Sequence, residues 1–194
     1  MTVSNVRRPD FTNSLVHLTS KRVRVIDASD PLDPKTETIP AFEVLKSILS
    51  ERAIRGSGND GFVRGSTPAV CLSEIPLSQV HFLLSDRRYS HYGIAISKKA
   101  AFAVGGRPVI YLPPEEAEWI PPEQLWRLVR FEFGKVDFTH EREWRIPEKL
   151  DLTALPGFYL LVWDTLEAKE VETICSGLTT LRGVLPMQHL NQML

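Results

Sequence analysis

The feature that most constrains this chain is a succession of short apolar segments with no regular helix between them. Ser14 to Thr19, Ala69 to Leu72, Gly93 to Ser97, Pro108 to Leu112, Leu128 to Phe133, Glu141 to Ile146, Phe158 to Trp163 and Val171 to Ser176 all read as strands. One clear amphipathic helix interrupts them. Ala41 to Arg52 sets Phe42, Leu45, Ile48 and Leu49 on one face and Lys46, Ser50 and Glu51 away from it. Strands that do not alternate with helices argue against a doubly wound parallel sheet. They predict an α+β fold with a mostly antiparallel sheet or split barrel.

The remaining segments read as connections. Residues 27–40 carry three prolines and read as a surface loop, and Gly56 to Gly65, with four glycines, as a mobile one. Ser73 and Pro76 read as the N-cap and first turn of a helix through Leu84. Lys98 to Val104, the segments led by Pro114 and Pro122, and Pro186 to Leu194 read as further short helices. With 194 residues and 43% hydrophobic content, the expectation is a single domain spanning 1–194 that buries its core without staples.

Charge and cysteine content narrow the class. Lys and Arg total 23 against 24 Asp and Glu, so a dominant role in coating nucleic acid or anionic lipid is disfavoured. Cys71 and Cys175 are the only cysteines, which excludes a disulfide scaffold and a four-cysteine zinc module. MTVSNVRRPD lacks the apolar core of a signal peptide, and the apolar run Phe158 to Trp163 is far short of a membrane span. The expectation is a soluble cytoplasmic protein.

Three constellations carry chemistry. On a strand, His17 and Thr19 share one face while Val16 and Leu18 take the other, which suits the wall of a polar cleft. In Thr139 to Arg145, a strand puts Glu141, Glu143 and Arg145 on one face, so that a guanidinium stands beside two carboxylates. Arg64, among glycines and hydroxyls, suits a phosphate, although the lysine and hydroxyl of a Walker loop are missing. Cys71 lies in an apolar run and reads as core rather than nucleophile. Trp119, Trp126 and Phe131 beside Arg127 and Arg130 offer either a stacking surface for a base or core packing, with packing favoured. A metal-dependent nuclease built on Asp137, Glu141 and Glu143 is a minor alternative.

The order of the blocks is more specific than any one of them. A His-x-Thr strand (His17, Thr19) precedes a Leu-x-x-Ile-Leu helix (Leu45, Ile48, Leu49). Pro68 to Ser78, His91 to Lys98, Pro108 to Tyr111 and Glu141 to Arg145 follow. From about His17 to Arg145 this resembles the AbiGi-type abortive-infection family of bacterial phage-defence proteins, with residues 20–40 as a loop insertion. More distantly it resembles the DarT-like ADP-ribosyltransferases. That resemblance implies a split antiparallel sheet with NAD across it. His17 would hold the nicotinamide ribose, Glu143 would be the late-strand catalytic glutamate and Glu141 would complete a Glu-x-Glu. Tyr92 would be the stacking aromatic, Thr19 would lie beside the carboxamide, and Arg64 or Arg145 would offset the pyrophosphate. The implied function is an ADP-ribosyltransferase-like toxin or defence effector that binds and cleaves NAD, its acceptor a nucleic acid, a protein or water. The alternative is a non-catalytic antitoxin or sensor module that binds a nucleotide or a protein partner, since fold alone does not dictate function.

Overall fold

The computed structural model describes residues 12–27, 29, 35–58, 62–80 and 89–188. Its centre is a seven-stranded sheet built from β1 (Ser14–Leu18), β5 (Ala69–Ser73), β6 (Gly93–Ser97), β7 (Arg107–Pro108), β10 (Glu143–Pro147), β12 (Phe158–Val162) and β13 (Leu181–Pro186). The spatial order is β13-β12-β6-β1-β5-β10-β7. Every neighbouring pair is antiparallel except β12 and β13. The mixed α+β class and the mostly antiparallel sheet follow the sequence reading.

Two of the ladders that meet at β1 are unequal. β1 pairs with β6 along its whole length, Ser14↔Ser97 to Leu18↔Gly93, whereas its register with β5 holds a single pair, Val16↔Ser73. Gly93 permits the tight side of this junction, because a Cβ there would stand 2.5 Å from the His17 carbonyl oxygen. On its other edge β5 is fully zipped to β10, from Glu143↔Ser73 to Pro147↔Ala69, and β4 (Ala53–Arg55) and β11 (Lys149–Asp151) form a separate antiparallel pair.

Strand alternation divides the core. One face carries Leu15, Leu72, Ile94, Ile96, Ile146 and Leu160 and is covered by α1 (Ala41–Glu51) through Val44, Leu45, Ile48 and Leu49. The other face holds a smaller cluster of Val16, Ile75, Val80, Ala95, Leu161 and Met187. The short helix α2 (Lys98–Ala103) begins where the Ser97 hydroxyl accepts the Ala100 N–H at 3.1 Å.

Several local expectations need correcting. Val171 to Ser176 is no strand: α3 (Thr165–Ile174) occupies it, opened by Asp164, whose carboxylate accepts the Leu166 and Glu167 N–H groups. Topology demands that helix, since β12 and β13 run parallel and need a crossover between them. Residues 20–40 are not all loop, because β2 (Arg22–Asp27) and β3 (Lys35–Ile39) form an exposed hairpin. Ser73 ends β5 instead of capping a helix, and a short 3-10 turn follows only at Leu77–Gln79. The rest of the helix expected through Leu84, and all but the start of the one expected over Pro186 to Leu194, lie outside the described residues. Pro108 to Leu112 breaks at Val109, and β8 (Ile110–Leu112) leaves the main sheet to pair with β9 (Leu128–Arg130). The helices expected at Pro114 and Pro122 are 3-10 segments. Among the described residues, no helix is long and apolar enough to cross a membrane.

Candidate functional site

The face of the sheet beyond β5 opens into a cavity of about 670 Å3, within the usual range for small-ligand sites. Its buried wall is made by Glu141, Glu143 and Arg145 together with half-buried Cys71. Ser20, Lys21, Phe62, Arg64 and Arg130 are the exposed residues at its rim, and Tyr89, Val129, Val136 and Phe138 complete the lining.

The centre of this wall is an ion pair. Arg145, 1% exposed, donates from Nε to Oε1 of Glu143 at 2.7 Å and from Nη2 to Oε2 at 3.3 Å. Its other bonds go to carbonyls: Trp126 at 2.8 Å, Leu128 at 3.1 Å and Phe62 at 3.4 Å. These contacts engage all five guanidinium N–H groups, which is how a cation can be buried here. The donors of Arg145 are therefore taken up within the protein, which leaves none over for the pyrophosphate role expected of it.

Tyr111 fixes the start of the same strand. Its hydroxyl accepts the Glu143 N–H at 3.0 Å and donates to the Phe138 carbonyl at 3.2 Å. Burial, the largest cause, pushes its pKa up to about 12, so the hydroxyl stays a donor at neutral pH. The break at Val109, whose N–H binds the Glu143 carbonyl at 3.0 Å, brings Tyr111 here. Sequence reading missed Tyr111 because it took Pro108 to Leu112 as one continuous strand.

Glu141 reaches the cavity by a different route from the expected one. It belongs to the 3-10 turn Thr139–Glu141, and Arg142 at φ 45° breaks the chain before β10 begins at Glu143. Strand alternation had placed the two carboxylates together, whereas a left-handed residue does so in fact. Asp137 is engaged just before this turn, accepting the Thr139 N–H at 2.8 Å and hydroxyl at 2.6 Å. Among the described residues no group of three acidic, histidine or cysteine side chains is placed to hold a metal.

His17, Thr19 and Tyr92 do not join this cavity. Val16, Ser73 and Glu143 are in register across β1, β5 and β10, so His17, one residue on, faces the other way, toward the Leu72 and Ile94 side. Its Nδ1 lies 2.9 Å from the Cys71 carbonyl and must be the donor, which leaves Nε2 as the unprotonated nitrogen. Burial lowers the His17 pKa. The imidazole thus bridges β1 to β5 where the backbone ladder stops. Thr19 is buried, with its hydroxyl 3.1 Å from the Ala41 carbonyl and its N–H 2.8 Å from that of Tyr92. Tyr92 packs against Phe42, its ring tilted by 36° with centroids 5.1 Å apart, and donates to Glu167 at 2.8 Å, beside α3. The expected site is thereby divided: Glu141, Glu143, Arg145 and Arg64 share the cavity, and the other three residues pack on the helical side.

Cys71 lines the cavity rather than the core alone, yet burial, and next the Glu143 charge, push its thiol pKa up and away from nucleophilic character. Trp126 is buried against Val63 and Ala69, in keeping with the packing alternative, while Trp119 is exposed. Lys21 and Arg64 form no ion pair among the described residues, and Arg130 is paired with Glu132. No protein-family model, curated protein or solved structure matches this chain.

Proposed function

We propose that this cavity binds NAD and that the protein cleaves the nicotinamide–ribose bond, as an ADP-ribosyl-transferring or NAD-hydrolysing effector of bacterial defence. The observation that carries the proposal is Glu143, a carboxylate 8% exposed, clamped by Arg145 and set in the wall of a cavity of nucleotide size. The charge layout supports it as well: Glu141 and the Glu143–Arg145 pair lie on the buried wall, and Lys21 and Arg64 stand exposed at the rim.

In this chemistry the C–N bond breaks with its electron pair leaving on the nicotinamide, and positive charge develops on the ribose. Glu143 stabilises that charge and accepts a hydrogen bond from the ribose 2′-hydroxyl. Arg145 acts through Glu143 as a positioning residue. Glu141 takes the proton of the attacking acceptor or water, and Lys21 and Arg64 face the pyrophosphate. His17 has a structural part here, bracing β5 behind the cavity.

The placement of His17, Thr19 and Tyr92 favours a second reading, a module that binds a nucleotide without cleaving it. Nicotinamide release from purified protein decides between them. Binding with release supports the effector, binding without release supports the module, and failure to bind NAD overturns the effector.

A further inference from the structure

β2 and β3 stand apart from the main sheet as a ribbon of two strands, exposed along almost its whole length. Two strands alone are marginal in water, and an open edge is a template for a further strand. Among the described residues β3 has β2 as its only strand neighbour. The two faces of the ribbon differ in character. Val23 and Val25 lie opposite Thr38 and Thr36 on one face, and both valines are exposed. On the other face Arg24 lies opposite Glu37, its Nη2 donating to Oε2 at 2.8 Å, and Asp27 lies opposite Lys35 at 3.7 Å. The register shift between Val25 and Asp27 turns Asp27 onto the Arg24 face, where strict alternation would send it to the other.

We propose that β3 pairs with β3 of a second copy of this chain, antiparallel about a two-fold axis at Thr36, so that the two hairpins form one four-stranded sheet. In such a pair the numbers of opposed residues add to a constant, which must be even for opposed side chains to share a face. Centred on Thr36, Lys35 meets Glu37 of the second copy, Thr36 meets its own equivalent, and Glu37 meets Lys35 of the second copy. One face then carries two rows of alternating charge, each running Arg24, Glu37 in one copy and Lys35, Asp27 in the other. The opposite face carries a row of Val25 and Thr36 from each copy, side chains that suit a sheet. Neighbouring registers lose this match: centred on Lys35 the two lysines meet, and centred on Glu37 the two glutamates meet. β2 is guarded against the same union. Centring on Val23 opposes Arg22 with Arg24, centring on Arg24 opposes the two arginines, and the bulge follows. Charge thereby selects one edge and one register.

The test is sedimentation equilibrium of the full chain at concentrations up to about 1 mM, enough to populate a weak dimer. Wild type should dimerise, and raising salt from about 0.05 M to about 0.5 M should weaken the dimer by screening exposed charges. Lys35→Glu opposes carboxylates across the axis and Glu37→Lys opposes ammonium groups, so each variant alone should dissociate at least about tenfold more readily. An equimolar mixture of the two variants restores both opposite-charge pairs and should recover most of the lost affinity as a heterodimer. Damage to the fold would give no such rescue, and circular dichroism of each variant checks the fold directly. A wild type that stays monomeric overturns the proposal. So do single variants that dimerise as wild type does, and a mixture of folded variants that remains monomeric.

Discussion

Arg145 grips both carboxylate oxygens of Glu143 from two residues further along the same strand face, at 2.7 and 3.3 Å. Direct spacing made this pair readable in the sequence, but its depth was not. Burial changes what a substitution does, because an arginine left without its carboxylate in this wall is an uncompensated charge. Glu143→Gln is therefore expected to lose about 3–5 kcal/mol of stability as well as activity. Nicotinamide release should fall on the order of 10²-fold at a temperature where the variant remains folded. Chemical denaturation and product release on the same preparation check both.

The ion pair also predicts a non-additive cycle. Arg145→Met strands Glu143, just as Glu143→Gln strands Arg145. The double variant removes both charges, so its loss of stability should fall short of the sum of the two single losses by about 2 kcal/mol or more. Urea unfolding of the four proteins measures the coupling. Additive losses would mean that Arg145 acts mainly through its carbonyl bonds to Trp126, Leu128 and Phe62.

Tyr111→Phe should separate positioning from binding. The variant removes the acceptor of the Glu143 N–H and the donor to the Phe138 carbonyl, a cost of about 1–3 kcal/mol in stability. NAD affinity should stay within about twofold while nicotinamide release falls at least about tenfold, since the carboxylate loses its register and not its charge. Isothermal titration beside a release assay distinguishes this from a purely structural role, in which both would follow folded fraction.

How much was legible follows from the range of the forces involved. The α1 face of Leu45, Ile48 and Leu49, the strands at β5, β6 and β12, and the Glu143–Arg145 spacing are local patterns that packing reinforces. α3 was misread because Val171 to Ser176 looks apolar and short, while the signals for the helix, Asp164 as cap and a parallel crossover, depend on a strand pairing. The failure at His17 has the same origin. Alternation puts His17 and Thr19 on one face, but β1 ends at Leu18, and only its register with β5 and β10 decides which face Glu143 shares.

His17 provides the prediction that separates the helical side from the cavity. Its Nδ1–H donates to the Cys71 carbonyl, so His17→Gln should cost about 1–3 kcal/mol, and NAD affinity should move less than about twofold because the ring does not line the cavity. The pH dependence has a fixed sign. Burial lowers the His17 pKa in the folded protein below its ordinary 6.5, so the folded state binds fewer protons than the unfolded one. The stability that His17 contributes is present above about 6.5 and is lost as pH falls through the lowered value. His91 is lowered too, again chiefly by burial, but it is common to both proteins and cancels in the comparison. Wild type should therefore lose more stability than His17→Gln between pH 7 and pH 5, read from denaturant midpoints at each pH. If His17→Gln instead unfolds like wild type yet abolishes nicotinamide release, the imidazole acts on the ligand, and the division between the two faces of the sheet is not the functional one.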